Sequence, residues 1–233
     1  MFKKIKLLVF FSILSVTVMS QGIRFSFQGG LAIPTGEFAK NVTHPENGGF
    51  ATNGFDIKLI GERIYKNKFI VGVNLGFTLF GVDKEAIQMV INPSDPSTVH
   101  VESQSFQNIN LQARGGYYFS FMDEKMSLIP FVDVGMGVFN SAYYAISKPN
   151  GTILVREGNA AVALLITPGL EYSVAINEIV SIKLFGNYQF ADYSVDEHFR
   201  LIDVNTPNPL QIDKTVNYKY TNASVGLGLA FVL

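Results

Sequence analysis

In the stretch FIVGVNLGFTLF, Phe69, Val71, Val73, Leu75, Phe77 and Leu79 occupy every second position, and Ile70, Gly72, Asn74, Gly76, Thr78 and Phe80 lie between them. A period of two predicts a strand. The same alternation recurs in GIRFSFQGGLAI, GFDIKLIG, FQNINLQARGGYYF, IPFVDVGMGVF, AAVALLITPGLEYSV, IVSIKLFGNYQF and TNASVGLGLAFVL, eight segments in all. One face of each is apolar. The other is small, amidic or charged. AAVALLIT could also be read as a buried helix, but Pro168 and Gly169 disfavour a long one. A strand there is expected to carry a bulge, because a proline removes one ladder donor.

The connections alternate in length. Those over about 34–53, 81–104, 141–159 and 191–217 are long, and those over about 62–68, 120–127 and 175–178 are short. Pro, Asn, Asp and Ser gather in the long ones, as in NPSDPST and NTPNP. A greasy face opposite a quiet one, with short turns at one end and long loops at the other, is the signature of a transmembrane β-barrel. Lipid satisfies no backbone N–H or C=O, so strands cross it only in a closed barrel. The apolar face meets lipid, and Gly72, Gly76, Gly116, Gly135, Gly137, Gly226 and Gly228 face a crowded interior. A soluble lipocalin-like barrel would carry the inverse pattern. The expected fold class is therefore all-β, an eight-stranded antiparallel up-and-down barrel. Phe69, Tyr117, Phe119, Phe121 and Phe231 are expected to form an inner aromatic girdle, and Phe77, Phe80, Phe139, Tyr188 and Phe190 an outer one.

The first residues sharpen this picture. Lys3, Lys4 and Lys6 precede the apolar run Leu7–Val18, and Val18-Met19-Ser20 suits a signal peptidase. Residues 1–20 are expected to be a cleaved signal peptide, and 21–233 a barrel with four long outer loops and three short periplasmic turns. No further domain is expected after the last strand. The strand pattern, the GGLAIPTGEF opening and the ASVGLGLAF ending resemble the small outer-membrane β-barrel domain family, similar to OmpA-type eight-stranded barrels. The resemblance spans about 22–233. It implies residence in the outer membrane; separately, the absence of HExxH and GxSxG motifs leads to the expectation of no enzymatic activity. Such barrels often end in an aromatic residue, whereas this sequence ends in Leu233 with Phe231 on the same face.

Composition narrows the function. Only 16% of residues are charged, against 48% hydrophobic, and there is no Cys for a disulfide or thiolate site. Loss of the three leader lysines lowers Lys+Arg from 18 to 15 against 19 acids, a net charge near −4. That balance argues against nucleic acid as a partner. The expected partners are outer-membrane lipid, with lipopolysaccharide or an extracellular or envelope protein meeting the loops. No cofactor is expected. His44, His100 and His198 all fall in long connections, and neither HExxH nor GxSxG is present.

The charges that do occur on strands are the sharper signal. Arg24, Lys58, Arg114 and Lys183 take inward positions, as do Asp56, Asp133 and Glu171. Arg114 and Asp133 lie at equal distances from the second short turn, and Glu171 and Lys183 flank the third. Hairpin pairing makes each pair cross-strand neighbours, and buried charges need partners. Two lumen ion pairs, Arg114–Asp133 and Glu171–Lys183, are therefore predicted. They imply a plugged lumen and a structural or surface-interaction role exercised through the loops. A small porin-like channel, an assembly or secretion accessory, and a rim enzyme acting on lipid are the alternatives.

Overall fold

The structure, a computed structural model, describes residues 22–40, 49–123, 125–148, 151–203 and 210–233. The predicted leader, 1–20, and His44 lie outside these. In chain order the elements are β1 (Gly22–Pro34), β2 (Ala51–Ile64), β3 (Phe69–Val82), α1 (Lys84–Ile91), β4 (His100–Ser103), β5 (Phe106–Tyr117), β6 (Phe119–Phe121), β7 (Met126–Asn140), β8 (Tyr144–Ser147), β9 (Thr152–Glu157), β10 (Ala160–Ala175), β11 (Val180–Asp203) and β12 (Leu210–Val232). No helix among the described residues is long and apolar enough to cross a membrane.

Eight of these strands, β1, β2, β3, β5, β7, β10, β11 and β12, pair in antiparallel sequence. The pairing of β12 with β1 closes the ring. Closure leaves the wall without the open edge that lipid forbids. Side-chain alternation then sets the two surfaces. Val71, Leu75, Leu111, Met136, Leu164, Leu184 and Leu227 point outward and are exposed. Arg24, Gln28, Asn74, Gln112, Thr167 and Lys183 point inward and are buried. The inward glycines are tightly packed, as a crowded lumen requires. A Cβ on Gly137 would collide with the Tyr193 hydroxyl, and one on Gly76 would stand 2.6 Å from Asn110 Oδ1.

The short turns are built locally. Asn177 accepts hydrogen bonds from the N–H groups of Ile179 (2.9 Å) and Val180 (2.8 Å), which folds β10 back into β11. Lys68 adopts a positive φ of 65° in the turn before β3.

Three expectations are corrected. AAVALLITPGLEYSV is strand β10, but it carries no bulge at Pro168. Its register with β7 runs unbroken through Pro168↔Val132. On the β11 side the ladder lapses at 167–168 and resumes at the same offset, from Ile166↔Phe190 to Gly169↔Asn187. The missing donor is absorbed by losing rungs rather than by inserting a residue. Phe80 and Phe139 belong to no outer girdle; both are buried inside the barrel. For Phe80 this follows from its phase, since it continues the inward set of Asn74, Gly76 and Thr78. The long connections are also not plain polar loops. They hold α1, β4, β8, β9 and the upper halves of β11 and β12, which together form a cap.

Candidate functional site

The lumen is filled in layers. At its centre a chain of ion pairs runs across the barrel. Arg114 lies opposite Asp133 in the β5–β7 register. It donates from Nε to Asp133 Oδ1 at 2.8 Å and from Nη2 to Oδ2 at 3.0 Å. Its Nη1 reaches Glu171 at 2.5 Å, and the guanidinium stacks 3.9 Å from the Phe131 ring centre. Lys183 bridges Glu171 (2.7 Å) and Glu62 (2.9 Å), and Arg24 binds Glu62 at 2.6 Å. Gln28 donates to Glu171 and Asn74 to Asp133, each at 2.9 Å. Three cations thus meet three carboxylates, all buried. The compensation is what allows charge inside a low-dielectric wall. Apart from this chain, Lys58 pairs with Asp56 at 2.9 Å, and Thr78 donates to Asp56 at 3.1 Å.

The structure therefore brings together both predicted pairs and joins them into one network with Arg24. It leaves Lys58 and Asp56 as a pair of their own. Glu62, the acid that links Arg24 to Lys183, went unrecognised in the sequence because it fell in a predicted turn. Its phase, two residues at a time from Asp56 and Lys58, was the available signal.

Above the charges lies an amide layer. Asn222 donates to Gln189 (3.1 Å) and to the Tyr220 hydroxyl (2.6 Å), and Asn108 donates to the Tyr193 hydroxyl at 3.1 Å. Above that, Phe80, Phe106, Phe139, Tyr193, Tyr218 and Tyr220 close the mouth. Phe38, carried on a 3-10 turn at Gly36–Ala39, drops into their midst. Its ring packs edge-on against Phe80 (5.2 Å) and Phe106 (5.3 Å), and 5.2 Å from Tyr220. Edge-to-face contacts at these distances suit the ring quadrupoles.

The cap rises beyond this stopper, at the end of the barrel that carries the long connections. A transmembrane strand needs about 9–11 residues, so β11 and β12, at 24 and 23 residues, extend well past the bilayer. In the cap, β9 pairs with the upper part of β11, β8 pairs with β9, and β4 pairs with β8 at the edge. Phe50, Ile87, Val99, Val101, Tyr144 and Ile146 form its core. Asp83 caps α1 by accepting the Ala86 N–H at 2.9 Å. Arg156 pairs with Glu197 and lies against the rings of Tyr144 and Tyr218, while Tyr218 donates to Glu197 at 2.6 Å. Burial raises the Glu197 carboxyl above its ordinary value, and Arg156 only partly offsets this. Hydrogen bonds from Gln211 and His198 lower the exposed Asp213. His100 lies 3.5 Å from Glu102 on β4, whereas His198 meets Asp213 at 2.7 Å on the distant hairpin. Among the described residues, no cluster of three His, Asp or Glu side chains could hold a metal ion.

No protein-family model and no curated protein matches the chain. Among solved structures it is similar to a major outer membrane protein from Thermus thermophilus. The TM-score is 0.54 at 13% identity, covering 91% of this chain and 99% of that one. It is also similar to Ail, the attachment invasion locus protein of Yersinia pestis (TM-score 0.47, 12% identity, 92% and 100% covered), and to Neisserial surface protein A (0.43, 9%, 90% and 96%). At such identities the likeness is one of fold, and the Thermus protein carries it. The chain is thus an eight-stranded transmembrane β-barrel with the fold of outer-membrane proteins. Its apolar belt and closed wall set it in the outer membrane.

Proposed function

We propose that this protein is a closed, non-enzymatic barrel that anchors a folded cap on the outer face of the outer membrane. Its work is contact made by that cap, with lipopolysaccharide or an extracellular or envelope protein as partner. The observation that carries the reading is the filled lumen. Six interlocked charges and an aromatic stopper occupy the space that a channel would need open. An eight-stranded barrel has room for little more than its own side chains. Structure in the long connections supports the same view, because a purely space-filling barrel needs no helix or added sheet above the membrane. The porin-like reading requires both layers to rearrange.

The test is electrical. Refolded into planar lipid bilayers, with barrel closure checked by the heat-induced gel shift, the protein is expected to pass no steady current. Regular conductance steps would overturn the closed-barrel reading.

A further inference from the structure

The cap contains a cavity of about 240 Å³. Ile87 and Val90 of α1 form one wall, Tyr144 and Ile146 of β8 another, and Phe199 of β11 a third. Among the described residues of the lining, Lys214 of β12 is the one that is charged. At the edge stands Ile212, which is 53% exposed, with Leu201 and Leu210 exposed further along the same hairpin. An apolar approach therefore leads from solvent to an apolar chamber with an ammonium at its side.

We propose that this cavity binds a single-chain anionic amphiphile, its hydrocarbon among α1, β8 and Phe199 and its carboxylate or similar head at Lys214. Size argues for a chain. A dry apolar cavity of about 150 Å³ accepts benzene, so this one has room for about nine or ten carbons. The lining offers a hydrocarbon contacts on several sides but gives a sugar almost nothing to hydrogen-bond. Lys214 supplies the polar anchor that such sites use to orient a ligand. Its ammonium has three donors, so it can serve a protein neighbour and a ligand head together. The site lies in the cap and does not depend on whether the lumen conducts.

The test uses the whole protein in phosphatidylcholine nanodiscs with a diazirine-tagged decanoate as probe. After irradiation, labelled peptides are expected from α1, β8 and the upper part of β11, and unlabelled decanoate should displace the probe. Val90→Trp, which fills the chamber from a half-buried helix position, should reduce cap labelling at least tenfold. Lys214→Gln should weaken competition by decanoate several-fold while leaving that by decanol unchanged. An unaltered protease-cleavage pattern checks that both variants keep the cap folded. Labelling confined to the lipid-facing belt, or cap labelling that survives Val90→Trp, overturns the site. Decanol competing as well as decanoate in the unmodified protein overturns the anionic head.

Discussion

The lower and upper halves of β11 obey opposite rules. From Ile182 to Phe190 the outward positions are Ile182, Leu184, Tyr188 and Phe190, and the inward ones include Lys183, Asn187 and Gln189. From Asp192 the phase is unbroken but the chemistry inverts. Asp192, Ser194 and Asp196 point out, while Tyr193 and Val195 are buried. Its partner β12 inverts at the same level, from Leu227 and Val225 outward below to Asn217 and Lys219 outward above, with Tyr218 and Tyr220 inside. Geometry does not change along the hairpin, so the solvent outside must. Lipid rewards an apolar exterior around a polar interior, and water rewards the reverse. The switch between Phe190 and Asp192 marks the edge of the bilayer on the cap side.

The comparison breaks most sharply at the charged layer. Arg114→Met leaves Asp133 and Glu171 buried without their shared cation. Losing one partner of a buried pair costs about 3–5 kcal/mol, to be read from urea unfolding in lipid vesicles. The next test puts one residue type on both halves. Leu184→Arg should cost about 2–4 kcal/mol, the toll for arginine near the bilayer midplane. Ser194→Arg, on the same face a few rungs higher, should leave the unfolding midpoint in place. Equal effects from the two would erase the proposed boundary.

A smaller effect separates the halves by pH. Because burial raises Glu197 above its ordinary value of 4.5, the folded cap binds that proton more tightly than the unfolded chain. This contribution is fully present below the ordinary value and is lost as pH rises through the raised one. Protease resistance of the β11–β12 hairpin should accordingly fall with rising pH across that window, and Glu197→Gln should flatten the trend. Smallest of all is His198→Ala. It breaks an exposed pair with Asp213, and exposed pairs contribute little, so the thermal midpoint should not move.

The same inversion explains what could be read from the sequence. Seven membrane strands are legible from a clean period of two, AAVALLIT only because Pro168 and Gly169 disfavour a long helix, and Arg114–Asp133 and Glu171–Lys183 follow from their spacing about short turns. The upper hairpin was hidden because its outward Asp192, Ser194 and Asp196 make DYSVDEHF resemble a polar loop. Its inward Tyr193 and Val195 keep strand phase, but with the polarity of a soluble sheet. The stopper was hidden for another reason. Phe38 sits on a short turn with no periodicity, and only tertiary packing brings it onto Phe80, Phe106 and Tyr220. The cap cavity likewise draws on segments far apart in sequence.

The claim that the charged layer closes the barrel by itself is tested most directly by recording from Phe38→Ala in planar bilayers. That variant removes the central ring of the aromatic mouth but leaves all six charges paired below it. The account expects it to stay electrically silent while still showing the heat-induced gel shift. Steady current from this single change would mean that the aromatic stopper alone closes the lumen, and that the ion pairs line a pore.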